Sequence, residues 1–150
     1  MTRVELHRQG VAWVARRLRK QGLDVEILHP RSAGTDITCR GLSIAVRVAR
    51  WRSFDKLITV NGTAYRYHYD GCLWNRHAHN KMPTTPPDVY ALVIWSRAPR
   101  VMFVPYREVP GGPTIQLVRS TKRRRGGVQK MLRWENRFDV FQSVTDESAA

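Results

Sequence analysis

The chain has 150 residues, with 26 Lys and Arg against 12 Asp and Glu and a formal charge of +14, an excess that opposes compaction unless a polyanion offsets it. No segment approaches the roughly 18 consecutive apolar residues of a spanning helix, which excludes an embedded helical membrane protein. The first ten residues lack the apolar stretch and cleavage site of a secretory signal, so the expected location is the cytoplasm.

Two cysteines, Cys39 and Cys72, stand in unlike contexts without CxxC spacing and are expected to be reduced and structural. A hydrophobic share of 42%, with five Trp, five Tyr and four Phe, is enough apolar matter for one core. The expected layout is a single domain over 1–144 and a polar tail over 145–150.

From about Thr2 to Gln21 the apolar positions Val11, Val14, Ala15 and Leu18 recur at helical spacing, while Arg8, Arg16, Arg17, Arg19 and Lys20 occupy the other faces. Gly22 is the expected C-terminal stop. Val25–Leu28 reads as a short strand, and Asp36–Cys39 and Ser43–Ala49 as a hairpin across Arg40-Gly41. In its second arm Ile44, Val46 and Val48 alternate with Ala45 and Arg47, predicting one buried face and one polar face that holds Arg47.

The stretch from Trp51 to Pro87 reads as a hairpin plus a loop. Val89–Trp95 is a nearly continuous apolar run, as in a strand covered on both faces, with Val101–Val104 as its hairpin partner. Ile115–Val118 is a further strand and Lys122-Arg123-Arg124-Arg125 a basic loop. A last helix is predicted to carry Met131, Trp134, Phe138 and Phe141 on one stripe.

Three local patterns resemble the PD-(D/E)XK nuclease superfamily, the restriction-endonuclease-like fold. They are a first helix ending Val14-Ala15-Arg16-Arg17-Leu18 through Gly22, an acid opening the next strand at Asp36-Ile37-Thr38, and Ile44-Ala45-Val46-Arg47-Val48 where the family carries acid, spacer, lysine. Pro87–Val93 and Phe103-Val104-Pro105 look like later core strands, and Trp134–Phe141 like the closing helix. The resemblance implies an α/β fold, a mixed central β-sheet flanked by an N-terminal and a C-terminal helix. It also implies a DNA-binding protein of the homing or restriction endonuclease type, with a homodimer as the expected assembly.

In that chemistry two carboxylates hold Mg²⁺ against the scissile phosphate while the lysine orients water and stabilises charge. Asp36 takes the first metal position by this resemblance, Ala45 stands where the second acid belongs, and Arg47 stands at the lysine position. A guanidinium stabilises a phosphorane but accepts no proton. Glu5 and Glu26 are the candidate substitute acids. Either the centre is active with a displaced acid, or it is a degenerate, non-cleaving one.

Asp36 and Arg47 are close together under the bland reading too, as a plain salt bridge. Cys72, His77 and His79 give a C-x4-H-x-H spacing that lacks a fourth ligand for structural zinc. The candidate nucleic-acid contacts are Arg16, Arg17, Lys20, Arg50, Arg52 and the run Lys122, Arg123, Arg124, Arg125, which supply salt-dependent, largely sequence-independent affinity. Trp51, Tyr65, Tyr67, Tyr69 and Trp74, interleaved with Arg52, Arg66 and Arg76, can stack on bases or stiffen the hairpin. Burial is expected for at least two of the three tyrosines. The competing readings are a metal-free architectural or regulatory module and an RNA- or ribosome-associated protein.

Overall fold

The computed structural model describes residues 1–29, 34–76, 86–109, 111–112, 114–120 and 131–142. Helix α1 spans Arg3–Lys20 and opens with a capping box. The Thr2 hydroxyl accepts the Glu5 N–H, and the Glu5 carboxylate accepts the Thr2 N–H, both at 3.1 Å, so two orphan donors of the first turn are satisfied. Arg17, Arg19 and Lys20 lie in the last turn, where cations complement the helix dipole. Gly22, at φ 79°, provides the left-handed residue that ends it.

Eight strands follow: β1 Val25–Ile27, β2 Ile37–Cys39, β3 Leu42–Ala49, β4 Arg52–Val60, β5 Thr63–Asn75, β6 Val89–Ile94, β7 Arg100–Pro105 and β8 Thr114–Ser120. They form a five-stranded sheet in the order β1-β2-β3-β6-β7 and a three-stranded sheet in the order β4-β5-β8. The five-stranded sheet is mixed, because β3 and β6 run parallel while the other neighbours are antiparallel. A parallel pair needs a crossover connection. Here the connection contains the β4–β5 hairpin, which supplies most of the second sheet.

That crossover creates two cores. On one face of the five-stranded sheet Ile44, Val46, Ala91, Val93, Val101 and Phe103 pack with Val11, Val14, Ala15 and Leu18 of α1 and with Phe141. On the other, Ala45, Tyr90, Leu92, Ile94, Met102 and Val104 pack with Cys72, Trp74, Ile115 and Leu117 of the second sheet. The chain is therefore an α/β fold around a mixed central sheet.

The structure changes two sequence expectations. The polar face predicted for β3 is buried: Ala45 and Arg47 are both covered, because the second sheet closes over the side of β3 that alternation alone leaves to solvent. Across the described residues 131–142 the expected continuous helix is interrupted: the backbone is helical at 131–132 and again at 139–142, with a bridge at Glu135 between them. Glu135 bridges Met102, Phe103 N–H donates to the Trp134 carbonyl, and Asn136 N–H donates to the Val101 carbonyl. Unpaired backbone at the edge of β7 thus captures the segment, and the predicted stripe divides, with Met131 in one core and Phe141 in the other. A bidentate pair between Arg100 and Glu135, at 2.6 and 2.9 Å, holds this docking and keeps the Glu135 carboxyl below its ordinary range.

α1 lies close against β3 at Gly10, where a Cβ would meet Val48 Cγ2 at 2.3 Å. Gly10→Ala gains about 1 kcal/mol of helix propensity but forces overpacking against a stiff β-branched side chain, which costs typically 1–3 kcal/mol. Urea denaturation is expected to show a net loss of about 1 kcal/mol in this variant, and none in Gln9→Ala on the exposed side.

Candidate functional site

β2 begins at Ile37, so among the described residues β3 beyond Ile44 has no strand neighbour on that side. Asp36 fills the gap with both backbone and side chain. Its N–H donates to the Ile44 carbonyl at 2.9 Å, and its Oδ2 accepts the Val46 N–H at 2.8 Å. The carboxylate substitutes for the missing strand, which is why an acid opens β2.

Two cationic or protonatable side chains converge on this carboxylate. Arg47 Nη1 is 3.5 Å from Asp36 Oδ2, so the two residues singled out in the sequence do meet. His7, on α1, places Nε2 3.2 Å from Asp36 Oδ1 and 3.2 Å from the Val46 carbonyl. His7 is the member of the cluster that sequence reasoning missed. The available signal was its position three residues before Gly10 and four before Val11, on the buried side of α1.

Arg47 is only 5% exposed, and nearly all its donors are spoken for. Nη1 donates to the Val46 carbonyl at 3.0 Å, Nε and Nη2 donate to the Arg76 carbonyl at 3.3 and 3.1 Å, and Nη2 reaches the Gly34 carbonyl at 3.4 Å. The guanidinium stacks on Tyr90, 5.8 Å from the ring centre, and the Tyr90 hydroxyl also donates to the Arg76 carbonyl. Burial pulls the Arg47 pKa down, and the charge of Asp36 pushes it back.

The donor set does not fit a catalytic Mg²⁺. Both Asp36 oxygens are engaged, a buried guanidinium lies beside them, and the Ala45 side chain offers no oxygen and is buried in the same core as Tyr90 and Trp74. Glu5 is committed to the helix cap. Glu26, on β1, pairs with Thr38 and is exposed. Among the described residues no three His, Cys, Asp or Glu side chains gather as a metal site. No metal-dependent step is derived for this centre.

Of the candidate nucleic-acid contacts, Arg16, Lys20, Arg50 and Arg52 are exposed. Arg17 is not available as a phosphate ligand. It donates to Asn136 Oδ1 at 2.7 Å and stacks on Trp13 and Phe138, fastening α1 to the C-terminal segment. Trp74 is also removed from base stacking, since it is buried and its indole N–H donates to the Val93 carbonyl at 3.0 Å. Tyr65 is 48% exposed, while the side chains of Tyr67 and Tyr69 lie outside those described. Residues 122–125, His77 and His79 also lie outside the described residues. Cys72 is in the core, where burial pushes its thiol up to about 11, and Cys39 is likewise a buried free thiol.

Removing one partner of a buried ion pair strands the other charge and costs about 3–5 kcal/mol. Asp36→Asn and Arg47→Met are each expected to lose stability on that scale in urea denaturation. The double variant is expected to lose less than the sum by about 1 kcal/mol or more; additive losses would show that the two side chains do not act as a pair.

No protein-family model, curated protein or solved structure matches this chain, so the geometry of the cluster and the distribution of charge carry the functional argument.

Proposed function

We propose that this chain is a nucleic-acid-binding protein, with double-stranded DNA as its partner, built on a restriction-endonuclease-like scaffold whose acid–lysine centre has become a fold-holding ion pair. The observation that carries the binding half is the sidedness of α1. Val11, Val14, Ala15 and Leu18 are buried, while Arg8, Arg16, Arg19 and Lys20 are exposed. The helix dipole accounts for Arg19 and Lys20 in the last turn but not for Arg8 and Arg16, and a row of cations in a chain of +14 matches the spaced charges of a phosphate backbone. Arg50 adds a further exposed cation just past Val48, the residue that touches Gly10 of the same helix.

The scaffold half is supported by placement. An acid opens β2, and a cation two residues after Ala45 on the adjacent strand comes within 3.5 Å of it, as the resemblance requires. The non-cleaving half is supported by the same cluster, since Arg47 is consumed by three carbonyls and Asp36 by an N–H, a histidine and Arg47. What remains is affinity without hydrolysis, suited to an architectural or regulatory role on DNA.

Duplex binding measured between 50 and 200 mM salt, by fluorescence anisotropy, tests this reading; for about six phosphate contacts, affinity is expected to fall roughly 10³-fold over such a range. Arg16→Ala with Lys20→Ala is expected to flatten the log–log slope by about 2. Affinity indifferent to salt sinks the proposal. Incubation of supercoiled plasmid with Mg²⁺ or Mn²⁺ is expected to give no nicking, and nicking that disappears in Asp36→Ala would reinstate the nuclease.

A further inference from the structure

The side of α1 turned to the core carries Gly10, Val11, Val14, Ala15 and Leu18. Gln9 stands about two and a half turns before Leu18 at 3.6 residues per turn, so it points directly away from that side, and it is exposed. Ala12 lies beside it at the next turn and is half-buried. The other outward or flanking side chains of the helix are committed. Glu5 is bound to Thr2 in the helix cap, and Arg17 lies over the Trp13 ring. Among the described residues the Gln9 amide has no hydrogen-bond partner.

The exposed cations are arranged around this uncharged spot. Arg8 precedes it, and Arg16, Arg19 and Lys20 follow it. Arg8 and Arg16 are about 12 Å apart along the axis at 1.5 Å per residue, and the major groove of DNA is also about 12 Å wide. A surface that binds phosphates alone gains most from a cation at its most projecting point, where the distance to the duplex is shortest. On α1 that point holds a carboxamide and, next to it, a methyl group. A groove has the matching pattern, two rims of phosphate and between them a floor of uncharged donors, acceptors and thymine methyls.

We infer that α1 enters the major groove of the duplex and that Gln9 reads an adenine there. Its amide oxygen accepts from the adenine N6 amino group while its amide N–H donates to N7, the two-point pairing that glutamine makes with this base. The Ala12 methyl is short enough to let the base pairs approach and offers an apolar contact to a thymine methyl. Arg8, Arg16, Arg19 and Lys20 hold the phosphates and fix the register. The inference rests on the duplex-binding reading and deepens it, adding a preference for an A·T pair to an affinity that phosphate contacts alone leave indifferent to sequence. It also selects DNA over RNA, whose major groove is too deep and narrow for side chains to read.

A DNA duplex pool with a randomised core of about 10 base pairs, one turn of helix, tests it when bound fractions are sequenced for the wild type and for Gln9→Ala. The wild type is expected to enrich sequences that share an A·T pair, and the variant to lose the preference at that pair. Anisotropy then compares the most enriched duplex with a shuffled duplex of the same composition. Gln9→Ala is expected to weaken the first roughly tenfold. Binding of the second, which also reports that the variant is folded, is expected to change by less than about twofold with the same salt slope. A wild type that enriches no motif, a motif kept intact by Gln9→Ala, or equal losses on both duplexes overturns the inference while salt-dependent duplex binding stands. A wild type that does not bind the pool at low salt overturns it together with the reading beneath it.

Discussion

Taking the guanidinium of Arg47 out of water costs several kcal/mol, and the arrangement of the strands around it is what offsets that cost. The cation sits on β3, covered by the second sheet on one side, and its donors reach carbonyls from three separate segments: Val46 on its own strand, Gly34 before β2 and Arg76 after β5. Asp36 supplies the countercharge. Because those partners come from distant parts of the chain, the charge is satisfied only when the strands are in their final register, and any slip would leave it buried and unpaired.

Asp36 connects this centre to the helix. The same carboxylate that accepts the Val46 N–H of β3 also lies 3.2 Å from His7 Nε2, so α1, β2 and β3 meet at one side chain. A residue fully engaged in this way holds geometry well and has no oxygen left for a metal, which is why the cluster reads as a structural device placed where the resemblance would put a catalytic one. Fold and function separate at this point. The Asp36–Arg47 pair holds strands in place, and the exposed cations of α1 lie outside it.

Much of the local structure was legible in the sequence. The period of Val11, Val14, Ala15 and Leu18, the stop at Gly22, the Arg40-Gly41 turn and the apolar run of β6 each depend on neighbours within a few residues, and the structure has them where local pattern put them. The nearness of Asp36 and Arg47 was legible as well, because a hairpin fixes which residues oppose. Contacts made across the fold were decided elsewhere. Whether the Arg47 side of β3 faced water depended on where the β4–β5 crossover came to rest, the fate of the Met131–Phe141 stripe depended on an unpaired edge of β7, and the place of His7 depended on how closely Gly10 lets the helix approach. Periodicity records that a residue has an apolar or polar side, and only tertiary packing decides what is laid against it.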